Sequence, residues 1–174
     1  EKKYQFNKDR YNKGHQVEKY NNFVNDSLNI NTIATKLILH VEKKSKSEKN
    51  KLLGINPGAS YGSAKRWYPK QFSNVASDLS SQYDIIIFGG PDEKDIAADI
   101  EKYLIDNGVE NYQNLAAKTS ITELISQIAN LDLFVTGDSG PMHLAAALQI
   151  PTVAIFGPTN DKETSQWMNE KSMV

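Results

Sequence analysis

Val135-Thr136-Gly137-Asp138-Ser139-Gly140-Pro141-Met142-His143, running on into Leu144-Ala145-Ala146-Ala147-Leu148, reads as a strand end, a glycine turn and a helix start. The apolar run over residues 131–136 has the length and composition of a short strand. Pro141 suits the first helical turn, where a missing N–H costs nothing. A helix start of this kind offers unpaired backbone N–H groups at the positive end of the helix dipole, a natural seat for a phosphate. An acid and a histidine share the turn, so the ligand expected there is an anion that also carries hydroxyl groups.

Working outward, strands are expected at 52–56, 84–88, 112–114, 131–136 and 152–156, and helices at 69–81, 92–107, 121–130 and 141–148. Ile85-Ile86-Ile87-Phe88 and Leu133-Phe134-Val135 are apolar without a break, as in strands covered by helices on both faces. Alternation of strand and helix over about 100 residues predicts an α/β fold with a doubly wound, Rossmann-like parallel sheet. With strand order 3-2-1-4-5, ligands bind where the order reverses, between the first and fourth strands. The two most unusual loops of the chain, residues 57–67 and 137–140, then face each other across one crevice.

The first 50 residues differ from the rest. They carry 11 basic against 6 acidic side chains, although the whole chain of 174 residues has a net charge of −1. Residues 1–13 read as a solvated linker, 14–28 as a modest amphipathic helix with an apolar face left for an outside partner, and 37–41 as a possible strand. A near-neutral charge gives no case for nucleic acid. With no cysteine there is neither a disulfide nor a thiolate metal site, which fits a reducing compartment. No apolar run approaches the ~20 residues of a membrane span. The chain begins without Met and stops just after a strand-and-turn pattern, so both ends read as cuts through a longer protein.

Each candidate site residue has an ordinary and a functional reading. Asp138 or Ser139 caps a helix; alternatively Ser139, Gly140 and His143 hold phosphate oxygens, while Asp138 accepts hydrogen bonds from sugar hydroxyls. Lys65-Arg66-Trp67 is a solvated basic pair beside a core anchor; alternatively Lys65 faces a diphosphate, with Ser60 and Tyr61 adding hydroxyls. Asp92 and Glu93 sit in a helix first turn, as the dipole favours; alternatively Glu93 accepts from a ribose hydroxyl. Ser120 and Glu123 form a capping box, which leaves Thr119 at the crevice lip, and Gly157-Pro158-Thr159-Asn160 closes the far side. The G-x-x-x-x-G-K-[ST] and G-x-G-x-x-G motifs are absent, which disfavours a kinase or a nicotinamide domain. No metal-ligand spacing and no acid/base couple is apparent, so neither metal nor cofactor is expected.

Five motifs in order resemble the lipopolysaccharide heptosyltransferases of glycosyltransferase family 9. They are Asn56-Pro57-Gly58-Ala59, Ala64-Lys65-Arg66-Trp67, Phe88-Gly89-Gly90-Pro91, Gly137 to Ala147, and Phe156-Gly157-Pro158-Thr159. The Lys65-Arg66-Trp67 form is most similar to the heptosyltransferase II branch. The resemblance implies the C-terminal, donor-binding half of an inverting two-domain (GT-B) glycosyltransferase. Such an enzyme moves L-glycero-D-manno-heptose from ADP-heptose to the lipopolysaccharide inner core, at the cytoplasmic face of the bacterial inner membrane and in service of outer-membrane biogenesis. By motif, Lys65, Asp138 and His143 are the catalytic candidates, and Ser60, Tyr61, Glu93, Thr119, Ser139 and Gly140 bind donor with them. Residues 1–50 are then linker and helix from the acceptor domain, and residues 51–174 the donor domain. The acceptor, the general base and any peripheral membrane association belong to the other half, and this half alone is expected to be inactive.

Spacing and composition alone reach only a phosphate-binding doubly wound domain. A UDP-sugar transferase or epimerase of the same architecture, and a nucleotide-binding module without chemistry, therefore remain open at this stage.

Overall fold

The computed structural model describes residues 4–42, 50–58 and 66–174. Strands β1 (Lys51–Asn56), β2 (Tyr83–Ile87), β3 (Tyr112–Asn114), β4 (Leu133–Gly137), β5 (Thr152–Ile155) and β6 (Ser172–Met173) form one sheet in the order β3-β2-β1-β4-β5-β6. Every neighbouring pair is parallel. Crossovers run through α2 (Pro69–Leu79), α3 (Lys94–Asp106), α4 (Ile121–Ala129), α5 (Gly140–Ala147) and the short α6 (Asp161–Thr164), while α1 (Gln16–Leu28) precedes this alternation. The expected order and its reversal between β1 and β4 are present, with one short strand added at the β5 edge.

Two cores explain the double winding. Ile85 and Ile87 of β2 face Phe72 and Ala76 of α2 and Ala97, Ile100 and Leu104 of α3. Their alternates, Ile86 and Phe88, share the opposite core with Phe134, Ile128 of α4 and Ala145 of α5. A strand with apolar residues at both parities must be covered twice, which is why the continuous run is diagnostic.

Several boundaries differ from the sequence reading. The helix expected at 92 begins at Lys94, after a 3-10 turn over Pro91–Glu93, because the Glu93 carboxylate folds back to accept from the Gly90 N–H. The fourth strand begins at Leu133 because Asp132 is held at the entry of β1: its carboxylate accepts from Leu52 N–H at 3.0 Å, and its own N–H donates to Leu52 O at 2.9 Å. Residues 37–41 do alternate, with Leu39 and Val41 packed on the second core, yet they join no ladder and are not a strand.

The N-terminal segment is more ordered than a solvated linker. The Phe6 ring lies 5.3 Å from Tyr11, 5.4 Å from Tyr20 and 5.4 Å from Phe23, so residues 6–11 fold back over α1. Nor is α1 orphaned. His15 caps it, with Nδ1 accepting from Val17 N–H at 3.2 Å, so the proton sits on Nε2 and is donated to Ser165 O at 2.9 Å. Lys19 is buried and pairs with Glu163 of α6 at 2.6 Å. Trp167 stacks beside His15 and donates from Nε1 to Thr35 O at 2.9 Å. Tyr20, Val24 and Leu28 stay exposed along the helix.

Candidate functional site

The strand-order reversal brings the carboxyl ends of β1 and β4 side by side, and a polar knot joins them. Asn56, 2% exposed at the end of an apolar strand, donates from Nδ2 to Thr136 Oγ1 at 3.1 Å and to Ser139 Oγ at 3.0 Å. Thr136 Oγ1 and Ser139 Oγ in turn donate to Gly137 O at 3.0 and 3.2 Å. These bonds decide what Ser139 does. It occupies the N-cap position of α5, but its hydroxyl is turned into the knot and makes no capping bond. The ordinary capping reading does not hold for Ser139, and the first turn of α5, with Gly140 and Pro141 leading, keeps backbone donors for a ligand.

A cavity of about 300 Å³ opens at this point, walled by Asn56, Gly89, Gly90, Glu93, Thr119, Ser120, Ile121, Leu124, Ser139, Gly140 and Pro141. Four residues singled out in the sequence, Glu93, Thr119, Ser139 and Gly140, thus share one wall. One end is polar, at the α5 start, and the other is a partly apolar slot between Ile121, Leu124 and the glycine pair. Such a lining can receive a ligand that has both a charged and an apolar part. Gly58 makes the closest approach in the site: a Cβ there would fall on the Glu93 carboxylate. Glu93 is therefore clasped between the β1 loop and the Gly90 N–H, with its carboxylate at the cavity edge. Ser120 and Glu123 form the expected capping box below it, Ser120 N–H donating to Glu123 Oε2 at 2.7 Å. That bond holds the Glu123 carboxyl below the usual range.

Asp138 and His143 are not in that wall. Asp138 is 8% exposed, and Thr159 Oγ1, in the turn after β5, donates to its Oδ2 at 2.7 Å. Burial pushes the His143 imidazole below its ordinary value; the Asp138 carboxylate opposes this and the nearby His15 adds to it. His15 and His143, unrelated in sequence, are thus brought within electrostatic reach. His143 is consequently neutral at pH 7, offering one N–H donor. Its unfolded counterpart titrates near ~6.5, so below that pH the unfolded chain takes up the extra proton and stability falls until the folded pKa is passed. Urea midpoints are expected to drop between pH 7 and pH 5, and the drop to shrink in His143→Gln. An unchanged slope in that variant would mean that another group carries the loss.

Ser60, Tyr61 and Lys65 lie outside the described residues. Trp67, their neighbour, is half-buried, its ring edge-on to Phe72 at 5.3 Å and 76°. Asn56, Ile121 and Leu124 were not assigned site roles from the sequence, and Thr159 was expected only in the turn that closes the far side. The one available signal was position: a buried amide at the carboxyl end of an otherwise apolar central strand. A larger, open hollow of about 660 Å³ runs along the β3 edge, between Glu101 and Lys118, and contains none of the candidate residues. Strand-end position at the reversal, not volume, identifies the site.

Comparisons with known proteins identify the family. Residues 2–174 match the model of glycosyltransferase family 9 (heptosyltransferase). The chain is 43% identical to lipooligosaccharide heptosyltransferase 2 of Campylobacter jejuni over 99% of its length, and spans 56% of that relative. Among solved structures, it resembles E. coli ADP-heptose LPS heptosyltransferase II at 33% identity and a TM-score of 0.69, covering 75% of this chain and 39% of that one. A glycosyltransferase family 9 structure from Veillonella parvula shares the fold at 23% identity, with a TM-score of 0.75 over 92% of this chain and 48% of that one. The site at the strand-order reversal is thus set in a chain that belongs to glycosyltransferase family 9, the heptosyltransferases.

Proposed function

We propose that this chain is the donor-binding half of an inverting heptosyltransferase. It would take ADP-heptose at the β1–β4 crevice and present the sugar to a lipopolysaccharide inner-core acceptor. Residues 51–174 form the donor unit, and residues 1–50 are the linker and helix leading from the acceptor half. The observation that carries this reading is the cavity at the sheet's reversal, where the uncapped start of α5 faces an apolar slot.

The adenine lies in the slot by Thr119, Ile121 and Leu124, and the Glu93 carboxylate accepts from the ribose. The diphosphate rests on Ser139, Gly140 and the α5 N-terminus, with Lys65 opposite and Ser60 and Tyr61 alongside. Asp138 accepts from heptose hydroxyls, and neutral His143 donates to an oxygen of the departing group. The acceptor hydroxyl attacks the anomeric carbon from the face opposite ADP, so the configuration inverts. Charge grows on the leaving diphosphate as that bond breaks, and donors already aimed at it lower the barrier. The base that takes the acceptor's proton belongs to the other half. Among the described residues, no helix is long and apolar enough to cross a membrane. A peripheral position on the cytoplasmic face of the inner membrane suits a lipid-linked acceptor.

Calorimetric titration of this chain with ADP and UDP tests the reading. ADP is expected to bind saturably and UDP at least about tenfold more weakly, a gap of about 1.4 kcal/mol. A preference for UDP would move the assignment to another nucleotide-sugar enzyme of the same architecture. Binding of neither by folded protein would remove the crevice from consideration.

A further inference from the structure

We infer that Thr159 is a positioning residue for the sugar-binding carboxylate of Asp138. This rests on the donor reading above and adds to it a residue that never touches the nucleotide. A carboxylate that must accept from sugar hydroxyls needs a defined plane, and an aspartate side chain has two rotatable bonds to settle. The Thr159 Oγ1 bond to Oδ2, 2.7 Å long, anchors one oxygen and so orients the other. The neighbouring hydroxyl in sequence cannot take this part, because Ser139 Oγ is committed to Gly137 O and Asn56.

Thr159 suits the role for two reasons. Its branched Cβ limits χ1, so the hydroxyl has few alternative directions. Its backbone is also pinned. β5 pairs with β4 up to Gly137 and Ile155, immediately before the two turns. Asn160, the next residue, caps α6 by accepting from Lys162 N–H at 3.2 Å. α6 is tied to α1 by the Lys19–Glu163 pair at 2.6 Å. The hydroxyl therefore comes from a fixed frame, and Asp138 is aligned before any ligand arrives. Such alignment favours the bound sugar because little ordering is left to be done on binding.

The comparison of ADP-heptose with ADP isolates contacts to the sugar. This chain is titrated with both ligands as wild type, Thr159→Val, Thr159→Ser and Asp138→Ala, with thermal melts as the check on folding. Thr159→Val is expected to weaken ADP-heptose about tenfold, the scale of one hydrogen bond to a charged group. ADP should stay within about twofold, and Thr159→Ser should restore most of the loss because it keeps the donor. If the valine variant does not fold, Thr159→Ala removes the same donor without bulk at Cγ. Equal weakening of both ligands, or no change in either, overturns the inference, since a merely structural threonine acts on both alike. If Asp138→Ala weakens ADP-heptose while Thr159→Val does not, the inference fails and the donor reading stands. If Asp138→Ala leaves ADP-heptose unchanged, the role given to Asp138 fails, and the positioning role with it.

Discussion

Phe134→Ala lowers the unfolding free energy by about 3–5 kcal/mol, the range for emptying a buried aromatic site. The ring is fully buried and meets Phe88 edge-on, with centroids 6.0 Å apart at 80°. It also covers Gly54, its parallel-ladder partner in β1. A Cβ on Gly54 would lie 2.7 Å from the Phe134 ring, 2.5 Å from Leu131 Cδ1 and 3.0 Å from Phe88. Gly54→Ala alone therefore overpacks the centre of the sheet, at about 1–3 kcal/mol. The double variant is expected to be more stable than the sum of the singles by about 1 kcal/mol, because the lost ring vacates part of the space the new methyl needs. Leu131 remains in the way, so recovery is incomplete. Urea denaturation of the four proteins measures the coupling, and simple additivity would show that the ring is not the obstacle.

Gly58→Ala is expected to weaken ADP binding about 10–100-fold with little loss of stability, as removal of a hydrogen bond to a charged group does. The new Cβ takes the space of the Glu93 carboxylate, which swings away because the end of a flexible side chain is what yields. The Gly90 N–H then loses its cap, and the ribose its proposed acceptor. Glu93→Ala should reproduce the effect, and combining the two should add little, since both delete one contact. Titration with ADP reads all three variants. Full additivity would mean that Gly58 acts on the ligand directly, through close approach of its backbone.

Much of this architecture was legible before any coordinates. Ile85 to Phe88 is apolar at both parities, so its burial on two faces followed, and the alternation of elements led to a sheet reversing between β1 and β4. The placement of Glu93, Thr119, Ser139 and Gly140 on one cavity follows from the same topology. What escaped notice is decided by contacts between distant parts of the chain. The Ser139 hydroxyl chose Asn56 over its own helix, and no local rule ranks those options. β6 is two residues long and exists because Val153 offers a ladder to Met173, so it has no pattern of its own. Residues 6–11 lack periodicity, yet Phe6 finds three rings only once α1 has formed. Residues 37–41 show the reverse failure: they alternate like a strand because Leu39 and Val41 pack on the second core, yet they pair with no neighbour.

The clasp between α1 and the segment after β5 bears on the order in which the molecule assembles. Its bonds, His15 to Ser165, Lys19 to Glu163 and Thr35 to Trp167, join residues 150, 144 and 132 positions apart in the chain. Contacts of such long sequence separation close the largest loops and form late, after local βα units have condensed. α1 is also too short to persist alone in water. Its amides should therefore acquire protection from hydrogen exchange only after those of β1, β2 and β4. Glu163→Gln, which loosens the clasp, should release α1 while leaving the sheet protected.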